Sequence, residues 1–141
     1  MNPRQLLDHL AATFPEFRQQ WDAPGNCFRN DDGSFTLHGI FAEFASFFRD
    51  QYETFTRAQI SSLGKFVSDC MAPSDESDLG NAAATCFVEN IAGDECDREL
   101  SNCLIGPAHA YWAAWIGRDV MLRRGRQWRP NAAQTDQREP Q

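Results

Sequence analysis

Two groups of charged residues are the first candidates for chemistry in this sequence. Asp94, Glu95, Asp97 and Glu99 form its densest acidic run, and Glu89 lies just upstream. Paired carboxylates are able to exchange protons with a substrate or to hold a metal ion. They also suit a helix N-terminus, where the macrodipole favours negative charge. We take capping and solvation as the first interpretation and a partner-facing acidic patch as the second.

The second group lies near the C-terminus and is basic. It comprises Arg118, Arg123, Arg124, Arg126, Trp128 and Arg129. Arginines with an aromatic residue among them are able to bind nucleic acid through phosphate contacts and base stacking. The same arginines would also suit a helix C-terminus, or would fold back on an acidic body. Nucleic-acid binding is therefore an alternative rather than the main prediction.

The cysteines give no recognisable metal or redox motif. They are Cys27, Cys70, Cys86, Cys96 and Cys103, an odd number, with no pair two residues apart. Cys86, Cys96 and Cys103 with His109 match none of the usual zinc spacings. Each of the three lies within a predicted apolar helix face, where cysteine behaves as a small hydrophobic residue. No cysteine–histidine pair is singled out by spacing either.

The loop Asn30–Gly33 contains acidic residues but does not match a calcium site. Placing Gly33 at the sixth position of a calcium loop puts Phe28 first and Gly39 twelfth, and neither side chain can bind a cation. A turn is the better interpretation. The sequence also lacks a glycine-rich phosphate loop, a nucleophile elbow and a paired-histidine zinc motif. We therefore predict no catalytic residue, no metal ligand and no cofactor.

Apolar residues recur every three or four positions along most of the chain, and this spacing predicts helices. The helices must therefore position the charged groups. The cleanest apolar stripe comprises Leu37, Ile40, Phe41, Phe44 and Phe48. The length of 141 residues suits one domain. We predict an all-α fold, a compact bundle of five to seven helices with mostly antiparallel neighbours. Residues 1–124 would form the helical domain, and residues 125–141 a polar, partly basic tail.

Residues that start and stop helices divide the bundle. Asn2 and Pro3 are a cap and a first helical residue, and a break is expected near residues 51–54. A further helix should run to Ile91 and end at Gly93. Asp94 would then cap a short helix, and Gly106-Pro107 would begin the last one.

Three short segments resemble a known family. They are Phe87-Val88-Glu89-Asn90-Ile91, then Leu104-Ile105-Gly106-Pro107, then Tyr111-Trp112. Together they are similar to an uncharacterised family of small bacterial all-helical proteins, over roughly residues 37–117. The resemblance implies a helical fold and no active-site residue. The arginine-rich end after Gly117 departs from the family pattern.

The distribution of charge has two interpretations: plain solubility, which is the first, and a cationic partner, which is the second. Residues 1–117 carry seventeen acids and seven bases, a net charge of −10, whereas residues 118–141 carry six arginines and three acids. We predict a non-catalytic protein-binding module, an immunity- or antitoxin-like inhibitor whose acidic surface covers a basic toxin or effector. The predicted contact residues are Asp75, Glu76, Asp78, Asp94, Glu95, Asp97, Arg123, Arg124 and Arg126.

Two alternatives stay open. One is a small-molecule or metal-dependent enzyme in the bundle core, which would require groups such as Glu89, Asp94, Asp97 and His109 to converge. The other is a nucleic-acid-linked regulator that uses the arginine-rich end. The N-terminus shows no secretory pattern and no apolar run approaches a membrane span, so a cytoplasmic location with reduced thiols and no membrane contact is expected.

Overall fold

The chain forms seven helices in a computed structural model that describes residues 1–72 and 77–127, with the backbone alone for residues 119–127. In chain order they are α1 (Pro3–Thr13), α2 (Pro15–Asp22), α3 (Leu37–Gln51), α4 (Arg57–Met71), α5 (residues 78–91), α6 (Asp97–Ser101) and α7 (Gly106–Gln127). No strand occurs in the described residues. The predicted all-α bundle of five to seven helices is therefore confirmed.

The N-terminal helix begins at the residues that the sequence indicates. The Asn2 side chain accepts a hydrogen bond from the Gln5 backbone N–H, and the Gln5 side chain accepts one from the Asn2 backbone N–H, both at 2.9 Å. Pro3 occupies the first helical position, where the backbone N–H that proline lacks would have no partner within the helix. This reciprocal cap satisfies two of the donors that a helix start leaves free.

Aromatic side chains of α3 form the centre of the core. Phe41, Phe44 and Phe48 are fully buried, as the apolar stripe predicts. The Phe44 ring lies 5.0 Å from Phe17 of α2 and 5.4 Å from Phe87 of α5, between ring centroids. Tilted and edge-on aromatic pairs at these separations are favourable beyond the apolar area that they bury. The α3 helix thereby joins the N-terminal helices to α5.

The middle of α5 is a π-helix, which is wider than the regular α-helix that the sequence predicts. Two α-helical pieces, Asp78–Ala82 and Glu89–Ile91, flank a π-helical segment, Ala83–Val88. A π turn places an extra residue in the helix. The apolar spacing of this stretch predicted a helix but not its π turns. The segment packs mainly against α3 and also against α7.

The chain between α6 and α7 packs closely on α4. The Ser68 hydroxyl donates to the Gly64 carbonyl at 2.7 Å and accepts from the Ile105 backbone N–H at 3.0 Å. Gly106 then adopts a positive φ of 57°, which glycine tolerates at no steric cost, and α7 begins there. One hydroxyl thus connects α4 to the start of the last helix.

The last helix continues to Gln127, three residues beyond the predicted end of the helical domain at 124. The rest of the predicted tail, residues 128–141, lies outside the described residues. Within the described ranges, none of the helices combines the length and the apolar composition that crossing a bilayer requires.

Replacement of Gly64 tests the close packing of α4. A Cβ atom added there would clash with the Cys103 Cβ atom. It would also lie 2.8 Å from the Cys103 carbonyl oxygen, which belongs to the backbone and cannot rotate away as the end of a flexible side chain can. We expect Gly64→Ala to lower the free energy of unfolding by about 1–3 kcal/mol, as overpacking usually does.

The control is Gly117→Ala, because nothing lies within 4 Å of its added Cβ in α7. There alanine should raise stability by up to about 1 kcal/mol through helix propensity. Urea denaturation measures both. Equal effects of the two substitutions would contradict the close contact at Gly64.

Candidate partner-binding groove

A groove lies between the corner that joins α3 to α4 and the segment that leads from α5 into α6. A 3₁₀ turn, Tyr52–Thr54, forms the corner, at the predicted break. The Thr56 side chain accepts from the Gln59 backbone N–H at 3.1 Å, and the Gln59 side chain accepts from the Thr56 backbone N–H at 2.9 Å. This second reciprocal cap sets where α4 begins and so fixes one wall.

Asp97 fixes the opposite wall. Its Oδ2 atom accepts a hydrogen bond from the Gly93 backbone N–H at 2.8 Å and another from the Trp112 indole Nε1 at 2.9 Å. Gly93 has a φ of 90°, so it turns the chain sharply at the end of α5. The prediction that Asp94 caps α6 is wrong, because the residue before α6 is Cys96 and no side chain caps it. The Asp97 carboxylate instead reaches back to the turn.

The central part of the groove is a depression of about 470 Å³. Its lining residues are Tyr52, Glu53, Phe55, Ile60, Glu95, Cys96, Arg98 and Glu99. Ile60 and Cys96 are each only 4% exposed and, with half-buried Phe55, make an apolar floor. The three glutamates and the arginine are exposed around it. The depression therefore has an apolar floor and a rim with a net negative charge.

Two smaller depressions adjoin the central one. A depression of about 220 Å³ shares Tyr52, Glu95 and Cys96 with it and adds Arg49 and Asp94. A second depression, of about 290 Å³, shares Ile60 and Glu99 with the central one. Its further lining residues are Arg57, Ser61, Asn102 and Cys103. The two smaller depressions share no lining residue with each other, so the groove extends from its acidic central depression at two different places.

Tyr52 links two of the carboxylates across the groove. Its hydroxyl lies 3.3 Å from a Glu53 oxygen and 3.4 Å from a Glu95 oxygen. Burial and the negative charges of Glu53 and Glu95 raise the pKa of the Tyr52 hydroxyl, so it stays protonated. Both hydrogen bonds are long, and one hydroxyl hydrogen serves two acceptors. The two carboxylates consequently retain most of their capacity to accept hydrogen bonds from a ligand.

The structure separates the residues that the sequence predicted as partner contacts. Asp94 and Glu95 are exposed at the groove, whereas Asp97 is 8% exposed and bonded inside the fold. Asp78 is exposed at the start of α5, and a helix of fourteen residues, about 20 Å long, separates it from the groove. Asp75, Glu76 and the side chains of Arg123, Arg124 and Arg126 lie outside the described residues.

The thiol in the groove floor is not activated. Burial, and after it the charges of Asp94 and Asp97, raise the pKa of Cys96 to about 11. A thiol with such a pKa is almost entirely protonated near neutral pH and is a poor nucleophile. The imidazole rings of His9 and His109 pack on the aromatic rings of Phe66 and Trp112, respectively. Cys96 is therefore not an activated nucleophile.

The acids considered for an enzyme site have separate hydrogen-bond partners. Glu89 accepts a hydrogen bond from the Tyr111 hydroxyl at 2.6 Å, and Asp97 accepts from Trp112. Asp94 and His109 are exposed. Over the described ranges, no three histidine, cysteine, aspartate or glutamate side chains are grouped as a metal site requires. Glu89 and Tyr111 of the motif segments thus bind each other, and Asp97, which lies between the segments, binds Trp112, so the two acids hold the start of α7 against α5 and α6.

Sequence reasoning missed Tyr52 and Glu53 as parts of the site. They lie more than forty positions before Glu95, and no periodic pattern relates the two segments. The only local signal was the expected break near residues 51–54, which predicts a corner but not its neighbour. Glu99 belonged to the acidic run from the start, but its position beside Glu53 depends on the tertiary packing of α6 on α4.

Residues 7–114 match the family model described as "Domain of unknown function (DUF7674)". The match covers more than half of the chain, and the protein therefore belongs to this family. The predicted resemblance to an uncharacterised family is confirmed to that extent. No curated protein and no solved structure matches the sequence. The matched residues include the whole groove and end within α7.

Replacement of Asp97 tests its role in shaping the groove wall. Asp97→Ala removes the acceptor for the Gly93 N–H and for the Trp112 indole, and hydrogen bonds to charged groups contribute about 1.5–3 kcal/mol each. We expect a loss of at least about 2 kcal/mol in the free energy of unfolding. The control is Asp94→Ala, an exposed acid, which should change stability by less than about 0.5 kcal/mol. Similar losses for both would contradict the structural role of Asp97.

The reactivity of the thiols tests the environment of Cys96. Burial raises the pKa of Cys70 to about 12 and that of Cys96 to about 11, whereas Cys27 is exposed. With a thiol reagent near neutral pH, the folded protein should therefore react quickly at Cys27 and slowly at the other two. All five cysteines should react once denaturant is added. Mass spectrometry of timed samples identifies each site, and fast modification of Cys96 would refute its inert character.

Proposed function

We propose that this member of the DUF7674 family is a non-catalytic binding protein, an inhibitor of the immunity or antitoxin type. Its groove would receive a basic part of a partner protein. The observation that carries the proposal is the placement of Glu53, Glu95 and Glu99 around an apolar floor. A floor of this kind excludes water, and a rim of carboxylates attracts and orients cationic groups.

The charge of the whole chain supports the same partner chemistry. Residues 1–117 have a net charge of −10, which speeds the approach of a basic protein and slows that of nucleic acid or an anionic membrane surface. A basic catalytic surface on a toxin, for example one that binds nucleic acid, has the complementary charge. Covering that surface would inhibit the toxin without any chemistry by the inhibitor.

The groove narrows the set of contact residues. Of the predicted contact residues, Asp94 and Glu95 line the groove, and Glu53 and Glu99 join them. Nothing in the described residues tests the predicted contacts at Asp75, Glu76, Arg123, Arg124 and Arg126, which stay predictions. We leave Asp97 out because its carboxylate is bonded to Gly93 and Trp112. We leave Asp78 out because it lies at the other end of α5.

Reversal of the charge in the groove tests the proposal. The full chain is co-expressed with the products of neighbouring genes in the native host, as the wild type and as the double variant Glu95→Lys, Glu99→Lys. We expect the wild type to co-purify with a basic partner and to relieve the partner's toxicity, measured as growth. The double variant should bind at least about tenfold more weakly, because like charges now face each other across the interface.

The matched control is the double variant Asp22→Lys, Asp31→Lys, which changes the net charge by the same amount at two exposed residues that do not line the groove. It should bind and protect as the wild type does. Circular dichroism verifies that each variant is folded. The proposal fails if no stable partner is found with the neighbouring gene products supplied, or if the Glu95→Lys, Glu99→Lys variant binds as tightly as the control.

A further inference from the structure

We infer that the groove binds an extended segment of the partner in which a single arginine stands between apolar residues. This inference rests on the proposed function, and it specifies which part of the partner enters the groove. Three features of the groove support it: its shape, the order of charges along it, and the arrangement of its carboxylates.

The shape favours a short segment over the face of a folded domain. The central depression, about 470 Å³, has the size of a small-ligand pocket and accepts a few side chains. The adjoining depressions extend it at two different places, towards Arg49 and towards Arg57. An extended chain advances about 3.3 Å per residue, so a few residues are enough to follow the groove from end to end.

The order of charges favours one cation, not several. The central depression carries three carboxylates and the guanidinium of Arg98. The Arg49 end also adds Asp94, so the charges added there cancel, and the Arg57 end adds one positive charge. The Arg49 side chain is held in place by a 2.9 Å hydrogen bond from its Nη1 to the Asn90 carbonyl. The net negative charge of the groove therefore lies in the central depression. A run of basic residues would place further cations at ends that add no net negative charge and against Arg57, whereas a lone cation in the middle, with uncharged neighbours, avoids this.

The carboxylates favour arginine over lysine. Glu53 and Glu95 both face the Tyr52 hydroxyl, and Glu99 lies on the same rim. A guanidinium has five donors in a fixed plane and is able to bind two carboxylates at once, whereas an ammonium is a compact point charge. The apolar residues beside the arginine would cover Ile60 and Phe55, which form the floor with Cys96.

Fluorescence anisotropy with labelled five-residue peptides and the full chain tests the inference. The probe has one arginine between two leucines, with a glycine at each end. Citrulline in place of the arginine keeps the shape and removes the charge, and it should weaken binding at least about tenfold. Lysine in place of the arginine should weaken binding less. Glycines in place of the leucines should weaken it because the floor is then left uncovered.

A peptide with three consecutive arginines separates this site from general attraction to an acidic protein. General attraction would make the triple-arginine peptide the tightest binder, whereas the charge order of the groove makes it weaker than the single-arginine probe. The double variant Glu95→Gln, Glu99→Gln should lose at least about tenfold in affinity for the probe. The matched control Asp22→Asn, Asp31→Asn removes two negative charges outside the groove and should bind the probe as the wild type does.

The outcomes distinguish this inference from the function on which it rests. Tighter binding of the triple-arginine peptide, equal binding of the citrulline peptide, or no saturable binding of the probe would each overturn the inference. If the chain nevertheless captures a basic partner and the Glu95→Lys, Glu99→Lys variant does not, the proposed function stands, and the partner then uses a folded surface. Competition between the probe and a captured partner would place both in the groove.

Discussion

Phe44 of α3 contacts Phe14 between α1 and α2, Phe17 of α2 and Phe87 of α5, at centroid distances of 5.0 to 5.4 Å. Phe55, which follows the corner after α3, lies 4.7 Å from Phe14 in the same cluster. Burial of these rings is the interaction on which the other helices depend, because it joins segments from the first half of the chain to α5. The groove needs this cluster, since the corner that forms its first wall is attached to the cluster through Phe55.

Two carboxylates then decide where the C-terminal helices lie. Glu89 binds the Tyr111 hydroxyl and Asp97 binds the Trp112 indole, so adjacent residues of α7 are held by acids of α5 and α6. Asp97 also binds the turn at Gly93. Burial of a polar group without a hydrogen-bond partner destabilises the fold, and these hydrogen bonds give the carboxylates, the phenol and the indole their partners. The acidic run thus has two functions: Asp97 supports the fold from inside, while Glu95 and Glu99 remain exposed at the groove.

The groove combines local and long-range electrostatics. In the proposed complex, the acidic body would attract cations from a distance, and the arginines that line the groove would limit which cations fit. Long-range attraction is weakened by salt, with a screening length of about 8–10 Å, whereas contacts within a partly enclosed groove are weakened less. Selection among basic partners would therefore come from Arg49, Arg57 and the apolar floor rather than from net charge.

The sequence by itself determined the local features of this protein. Helix starts at Asn2-Pro3 and Gly106-Pro107, the corner near residues 51–54 and the apolar face of α3 all depend on neighbouring residues, so their patterns are visible in one dimension. Tertiary structure alone decided the rest. The π segment of α5 packs against α3 and α7, and the inward turn of Asp97 depends on Trp112, fifteen positions later. The groove depends on the placement of Glu53, Glu95 and Glu99 around one depression. Such contacts between distant segments follow from the packing of whole helices, which no spacing within one segment records.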